Sequence, residues 1–318
     1  MNKDDAGADA PPARDVHCLE ASVIIPAYQV EHLISECLDA IGPQLVAGRH
    51  ELIVVDDAST DGTAAEVRRW SAAHPGVPLS LLVAPKRCGA NASRNAGALH
   101  ASGRLLAFTD GDDLVREGWV DSMVQASAHS AFLAGAVHDL HTNAPITYEF
   151  RFTSIKYAHG NSMAVARKLL VELEGFDPRI FRGGTEVEFA ARMKQQFAIT
   201  PTEVPGAITL YRQPTTSTGT LLRIYRRQYG HVLIGRLHPD LVPADSSYRS
   251  IRTALRLITT EVCQLLRRRA PSRDLCLQNI VRAASRIVAI LRLRLITPGD
   301  RRTFSESLDG YRVEIDNR

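Results

Sequence analysis

Four short, almost unbroken apolar runs constrain this chain most: residues 21–27, 51–55, 79–83 and 104–108. A strand with one wet face alternates apolar and polar residues, whereas a strand covered on both faces does not. Segments with helical spacing separate the runs. Residues 30–45 carry Leu33, Ile34, Leu38 and Ile41 on one stripe and meet a stop at Gly42-Pro43. Thr63-Ala64-Ala65-Glu66 reads as a capping box for a helix holding Val67 and Trp70, and residues 89–101 as a helix of small residues. Strands alternating with helices over about ninety residues predict an α/β fold, a doubly wound and mostly parallel sheet with helices on both faces.

In such a sheet the loops after the strands meet along one rim, where ligands bind. Three of the four runs end in residues that carry chemistry. The first ends at Pro26-Ala27 and meets Tyr28, the second meets Asp56-Asp57, and the fourth runs into Thr109-Asp110-Gly111-Asp112-Asp113. Acids crowded at one rim repel unless a cation neutralises them. Hard oxygen donors of this kind suit Mg²⁺ or Mn²⁺, which commonly bridge one or two carboxylates to substrate phosphates.

The order Val23-Ile24-Ile25-Pro26-Ala27-Tyr28, Val54-Val55-Asp56-Asp57-Ala58-Ser59-Thr60-Asp61-Gly62-Thr63, Arg94-Asn95-Ala96-Gly97 and Phe108-Thr109-Asp110-Gly111-Asp112-Asp113 resembles the signatures of family 2 glycosyltransferases over residues 22–210. The resemblance implies a GT-A fold and transfer of a sugar from a nucleotide-diphosphate-sugar, a UDP-sugar by frequency, to an acceptor hydroxyl with inversion. By the same resemblance Pro26, Ala27 and Tyr28 line the base and ribose, and Asp57 accepts a hydrogen bond from the base. Arg94 pairs with the diphosphate or with the acids. Asp110 and Gly111 lie on the donor and Asp110 and Asp112 on the metal, with Asp113 behind them. His159, Gly160 and Asn161 fall on the acceptor side.

A second acidic site follows at Gly183-Gly184-Thr185-Glu186-Val187-Glu188. Where the family shows a pair of acids, this chain has Thr185 and Glu186, so the resemblance assigns the catalytic base to Glu186, with Glu188 as the alternative. A carboxylate is needed there because a sugar hydroxyl attacks well only as its proton is removed. The departure at Thr185 keeps a rival in play, a non-catalytic nucleotide-sugar-binding protein. A sugar nucleotidyltransferase is the other rival. It would show a glycine-rich basic loop after the first strand, where this chain has Ala27-Tyr28-Gln29-Val30-Glu31.

Further along, residues 131–137 and 146–152 read as strands and 164–172 as a helix that stops at Gly175. An acidic helix starts near Thr185. After residue 213 three basic amphipathic helices are expected, over 221–236, 248–269 and 275–295. The division expected is therefore a disordered leader at 1–18, a catalytic domain at 19–212 and a basic helical extension at 213–318. The extension suits packing beside the catalytic domain, peripheral contact with an anionic membrane surface, or a homodimer contact. Within it the run Arg223-Ile224-Tyr225-Arg226-Arg227-Gln228-Tyr229-Gly230-His231 reads first as a solvated helix face, and otherwise as an approach to the pyrophosphate or to an acidic acceptor.

The net charge of +3 and the lack of any recognised binding motif give no case for nucleic acid. The 5 cysteines form no CxxC pair, so neither a zinc site nor a disulfide framework is indicated. No apolar run approaches the roughly eighteen residues of a membrane span. The expected place of action is the cytoplasm, or the inner face of the cell membrane. The acceptor is left open between a lipid-linked saccharide, another saccharide and a small molecule.

Overall fold

The computed structural model describes residues 19–146, 155–180, 183–213, 217–237, 251–266, 272–295 and 304–317. The leader at 1–18 lies outside them, as does nearly all of the strand expected at 146–152. Among the described residues nine strands form one mixed sheet, in the order β5-β8-β6-β7-β4-β1-β2-β3-β9. Its centre is parallel: β1 (Ala21–Ala27) lies between β2 (His50–Asp56) and β4 (Leu105–Phe108), and β2 continues to β3 (Leu79–Val83).

The unbroken apolar runs explain this centre. Alternate residues of a strand point to opposite faces, and the core divides accordingly. Val23, Ile25, Leu52, Val54 and Ala107 pack on one face with α1 (Ile34–Ile41), α2 (Thr63–Ala73) and α4 (Trp119–Ser127). Ile24, Ile53, Val55, Leu106 and Phe108 pack on the other, with α3 (Ala90–His100), α5 (Arg167–Glu172) and α6 (Thr185–Phe197). Each large apolar side chain buried in this way contributes about 2 kcal/mol. Gly97 lets α3 close on β1, since a Cβ there would stand 2.5 Å from Ile24 Cγ2.

Two local expectations need correction. Residues 164–166 are not helical: Met163–Ala166 is β7, antiparallel to both β4 and β6 (Phe132–Asp139). Alanine favours a helix, but burial between two strands overrides that weak preference. The capping box at Thr63 also does not form. Thr63 is already helical, and its hydroxyl donates to Asp61 Oδ1 at 2.6 Å. Glu66 is occupied by Ser35 and Arg69.

β8 (Thr202–Tyr211) runs parallel to β6 and pairs with the two-residue β5 (Leu114–Val115). The chain continues through α7 (Ser217–Leu237), α8 (Ile251–Leu266) and α9 (Arg273–Leu295). Residues 248–250 and 267–269, expected in the second of these helices, lie outside the described residues. The segment after 213 is not helical to its end. A 3-10 turn (Phe304–Leu308) packs on α3, and β9 (Arg312–Asp316) closes the sheet antiparallel to β3. Period-two spacing of Val313 and Ile315 between charges was its sequence signal, and charges suit an edge strand.

Phe304 seats this return, packing with α3 and against Gly175. Phe304→Ala is expected to cost about 3 kcal/mol, as buried aromatic truncations do, read as a lower urea midpoint. An unshifted midpoint would mean that residues 304–317 do not contribute to the folded core.

Candidate functional site

Parallel register brings the ends of β1, β2 and β4 to one rim. Ala27 pairs with Asp56, and the Asp57 N–H donates to the Ala27 carbonyl at 2.9 Å. A Cβ at Gly111 would stand 3.4 Å from Pro26 O and 3.5 Å from Ala27 Cβ. Pro26, Ala27, Asp57 and Gly111, spread over 86 positions of sequence, therefore meet.

The loops that carry Tyr28 and Asp57 are laced together. Gln29 N–H donates to Ser59 Oγ at 3.0 Å, and Gln29 Oε1 accepts from Asp61 N–H at 3.0 Å. Glu31 Oε2 accepts from Gly62 N–H at 3.0 Å. Asp56 accepts from the Ser59 amide and shapes the loop. Buried Asp57 accepts the Cys88 amide on Oδ1 at 2.6 Å and the Gly89 amide on Oδ2 at 2.8 Å. Burial raises the Asp57 carboxyl above its usual range, against the pull of those two amides and of Arg87. Arg87 lies over the Tyr28 ring, its Cζ 3.9 Å from the centroid. Sequence reading did not single out Arg87, although a basic residue two positions before the glycine that opens α3 was a usable signal.

At the end of β4 the acids divide by burial. Asp110 and Asp112 keep partly exposed carboxylates, and Asp113 is fully buried. Asp113 accepts from Asn161 Nδ2 at 2.6 Å and from the Arg212 amide at 2.9 Å. Arg212 also donates to Asp112 O and, at 2.8 Å, to Glu36. Burial first and neighbouring acids second push Asp112 and Asp113 above the ordinary carboxylate range. Asn161, expected on the acceptor side, is buried and holds the acid loop from behind.

Arg94 reaches this group from α3. It is only 4% exposed, and Nη2 donates to Asp110 Oδ1 at 2.6 Å. The next residue has a different task. Asn95 Nδ2 donates to Phe176 O, and its Oδ1 accepts the Phe176 amide, each at 2.8 Å. One turn earlier Asn91 donates to the carbonyls of Asp177 and Ile180. These bonds hold the segment that leads to α6.

α6 presents two acids in its first turn, and the structure separates them. Glu188 is 1% exposed and bidentate to Arg192, at 2.5 and 2.9 Å. Glu186 is half-buried and faces Gly160: a Cβ at 160 would stand 3.0 Å from Glu186 Oε1 and 3.1 Å from Arg94 Nη2. His159 stacks edge-on against Tyr157, with ring centroids 5.4 Å apart. Thr185 turns inward, its hydroxyl donating to Ile180 O at 3.2 Å.

The turn ahead of Glu186 is seated by α7. Gly183 and Gly184 have φ of +113° and +86°, which side chains rarely adopt. A Cβ at Gly230 of α7 would overlap the Gly183 carbonyl, and one at Gly184 would stand 2.5 Å from Ile234 Cδ1. Ile180, Val187, Tyr229, Leu233, Ile234 and Ala289 form the cluster around this contact. The expectation of a solvated face here is corrected: Gln228, Tyr229 and Gly230 are buried. The side chains of Arg227 and His231 lie outside the described residues.

Among the described residues no three His, Cys, Asp or Glu side chains gather as a metal cage. Two partly exposed carboxylates at this rim suit a divalent cation of another kind, one completed by substrate phosphates.

The sheet order and rim define a GT-A type α/β domain, and known structures share the fold. The mannosyltransferase PcManGT from Pyrobaculum calidifontis, solved with GDP-Man and Mn²⁺, superposes with a TM-score of 0.58 at 22% identity, over 86% of each chain. Residues 22–156, a little under half of the chain, match the sequence model of glycosyl transferase family 2. Among the chain's relatives, glycosyltransferase AglE of Haloferax volcanii is 38% identical over 101 residues, 31% of this chain and 33% of that protein. The UDP-Glc:alpha-D-GlcNAc-diphosphoundecaprenol beta-1,3-glucosyltransferase WfgD of Escherichia coli is 38% identical over 93 residues, 29% of this chain and 35% of that protein. The match thus spans about a third of these relatives.

Gly230→Ala is expected to destabilise the fold by about 1–3 kcal/mol, the usual cost of overpacking. Gly76→Ala, where nothing stands within 4 Å of a Cβ, serves as the control and should change little. Equal denaturation midpoints for the two variants would contradict the close approach of α7.

Proposed function

We propose that this protein is a glycosyltransferase that moves a sugar from a nucleoside-diphosphate donor, a UDP-sugar, to an acceptor hydroxyl with inversion, using Mg²⁺ or Mn²⁺. The observation that carries the reading is the junction at Gly160. Glu186 and Arg94 come together there, and Arg94 is bonded to Asp110 at the donor rim. That junction supports a base beside a cationic, acid-lined phosphate site, as a single displacement requires.

In this reading Tyr28 offers its ring to the nucleobase and Arg87 bounds that ring's other contacts. Asp57 orders the Cys88-Gly89 backbone beside the base and presents its remaining lone pairs there. Asp110 and Asp112 would hold the cation together with the diphosphate. A bound divalent cation supplies positive charge that stabilises the departing nucleoside diphosphate. Glu186 takes the proton of the attacking hydroxyl, whose oxygen then meets the anomeric carbon. Glu188 does not serve, because its ion pair with Arg192 fixes it within the fold. GDP- and dTDP-sugars are the donors to test beside UDP-sugars.

The acceptor we favour is a lipid-linked saccharide met at the cytoplasmic face of the membrane, by analogy with the diphosphoundecaprenol in WfgD's name. Peripheral contact through the helices after 213 belongs to that reading, and a homodimer contact is its competitor. Thr185, standing where the family has an acid, favours a second reading, a nucleotide-sugar binder without turnover.

Glu186→Gln is expected to lower acceptor-dependent release of nucleoside diphosphate about 10²–10⁴-fold, with donor affinity within about twofold of the parent by calorimetry. Undiminished release would remove Glu186 as base, and no release from the parent protein with any acceptor would favour the binder. Asp112→Asn should abolish the Mn²⁺-dependent part of the thermal stabilisation that the donor gives by mass action. Tyr28→Ala should weaken UDP binding about tenfold, the usual worth of one base stacked on an aromatic ring.

A further inference from the structure

α8 carries an apolar row on its outer side. Leu255, Val262 and Leu266 are 52%, 37% and 79% exposed, and their spacing of seven and four residues puts them on one side of the helix. Arg252 and Arg256 lie along one side of the row and are exposed. The single acid of α8, Glu261, is half-buried and accepts Asn279 Nδ2 of α9 at 2.8 Å, so it is turned toward α9. Ala254, fully buried, belongs to the inner side, where α8 meets α9. In sequence Leu266 is followed directly by Arg267, Arg268 and Arg269.

We propose that this outer face of α8 docks on an anionic lipid surface, with Leu255, Val262 and Leu266 entering the headgroup boundary and Arg252 and Arg256 meeting lipid phosphates. The inference gains its purpose from the lipid-linked acceptor proposed above, but it stands on the α8 face alone. Apolar side chains rimmed by arginine, without a carboxylate, fit an interface between hydrocarbon and phosphate. A second copy of the chain fits poorly. A two-fold contact sets the same patch against itself, and here that would bring arginines against arginines with no acid to separate them. Sixteen residues that include two arginines are too short and too charged to span a bilayer, and no described helix is long and apolar enough to do so.

Docking also has a route to the site. α9 packs on both α7 and α8, and its Ala289 joins the cluster through which α7 seats the turn before Glu186. A surface held by α8 would therefore be held at a set distance from the acceptor side of the site.

The test is co-sedimentation of the full chain with vesicles of phosphatidylcholine alone or mixed with phosphatidylglycerol. Binding should favour the mixed vesicles, and Arg252→Ser with Arg256→Ser should lower it at least about fivefold. High salt should lower it as well. Leu255→Glu with Val262→Glu should lower it at least about tenfold, with helix content, mass by light scattering and UDP binding unchanged. If the glutamate variant loses helix content, the arginine variant decides. Equal binding to both vesicles, or full binding by the arginine variant, overturns the proposal. So does a parent dimer that either variant splits, which would make this face a contact between copies. Transfer to a soluble acceptor is read separately, so loss of vesicle binding leaves the assignment of Glu186 standing, and the reverse also holds.

Discussion

The ion pair between Arg94 and Asp110 is the contact on which the rest of the site depends. A guanidinium 4% exposed is costly unless a partner compensates its charge, and three acids within four residues are costly unless cations stand close. Each problem offsets the other. Arg94 enters from α3 at 2.6 Å, and Arg212 enters from the end of β8, its amide donating to Asp113 and its guanidinium to Asp112 O. The acids at the mouth keep partly exposed oxygens, and the buried one is fully hydrogen-bonded. Asp113 thus shapes the loop, while Asp110 and Asp112 face the rim. Burial and crowding raise Asp112 and Asp113 together, which is the direction a positively charged ligand would reverse.

The same helix explains how the acid loop after β4 and the turn before Glu186 stay in register. Arg94 and Asn95 are adjacent, so they point in different directions around α3. One reaches the acids of β4, and the other clasps the backbone of Phe176. The segment clasped in this way leads to the two glycines and to Glu186. A shift of α3 would carry both halves of the site with it, and the close fit of Gly97 on Ile24 limits such a shift. The rigid part of the site is thus the helix between the acid loop and the segment that leads to Glu186.

Much of this was legible in the chain. Short unbroken apolar runs set between helical segments read as buried strands, and parallel strands gather their ends, so a common rim for the segments after β1, β2 and β4 followed from pattern. Other features depended on contacts that no local pattern encodes. Met163–Ala166 has the residues of a helix and the surroundings of a strand. Asp61 won the Thr63 hydroxyl from the capping role because the loop of Gln29 and Glu31 fixed it nearby. Glu186 and Glu188 share one helical turn and one chemistry. They are told apart by Arg192, one turn beyond Glu188, and by the glycine across from Glu186. The alternating Val313 and Ile315 were readable as a strand, but a short edge strand after long helices is overshadowed by its context.

The helices after residue 213 change meaning once Gly230 is seen against Gly183. Basic amphipathic helices at the end of a chain read as an appendage whose removal would spare the chemistry. Here α7 lies against the backbone of the turn that launches α6, at a position where a single methyl group would collide. The positive φ of Gly183 and Gly184 cannot be held by their own side chains, since they have none. It is held by Ile234, Tyr229 and the neighbouring packing. The orientation of Glu186 is therefore set from two sides: Asn91 and Asn95 fix the approach of the chain, and α7 fixes its turn. In the base role proposed for Glu186, the carboxylate must stand at a defined angle to the bond being formed. A turn built from two glycines has little stiffness of its own, so that angle is supplied by the part of the chain that reads as peripheral.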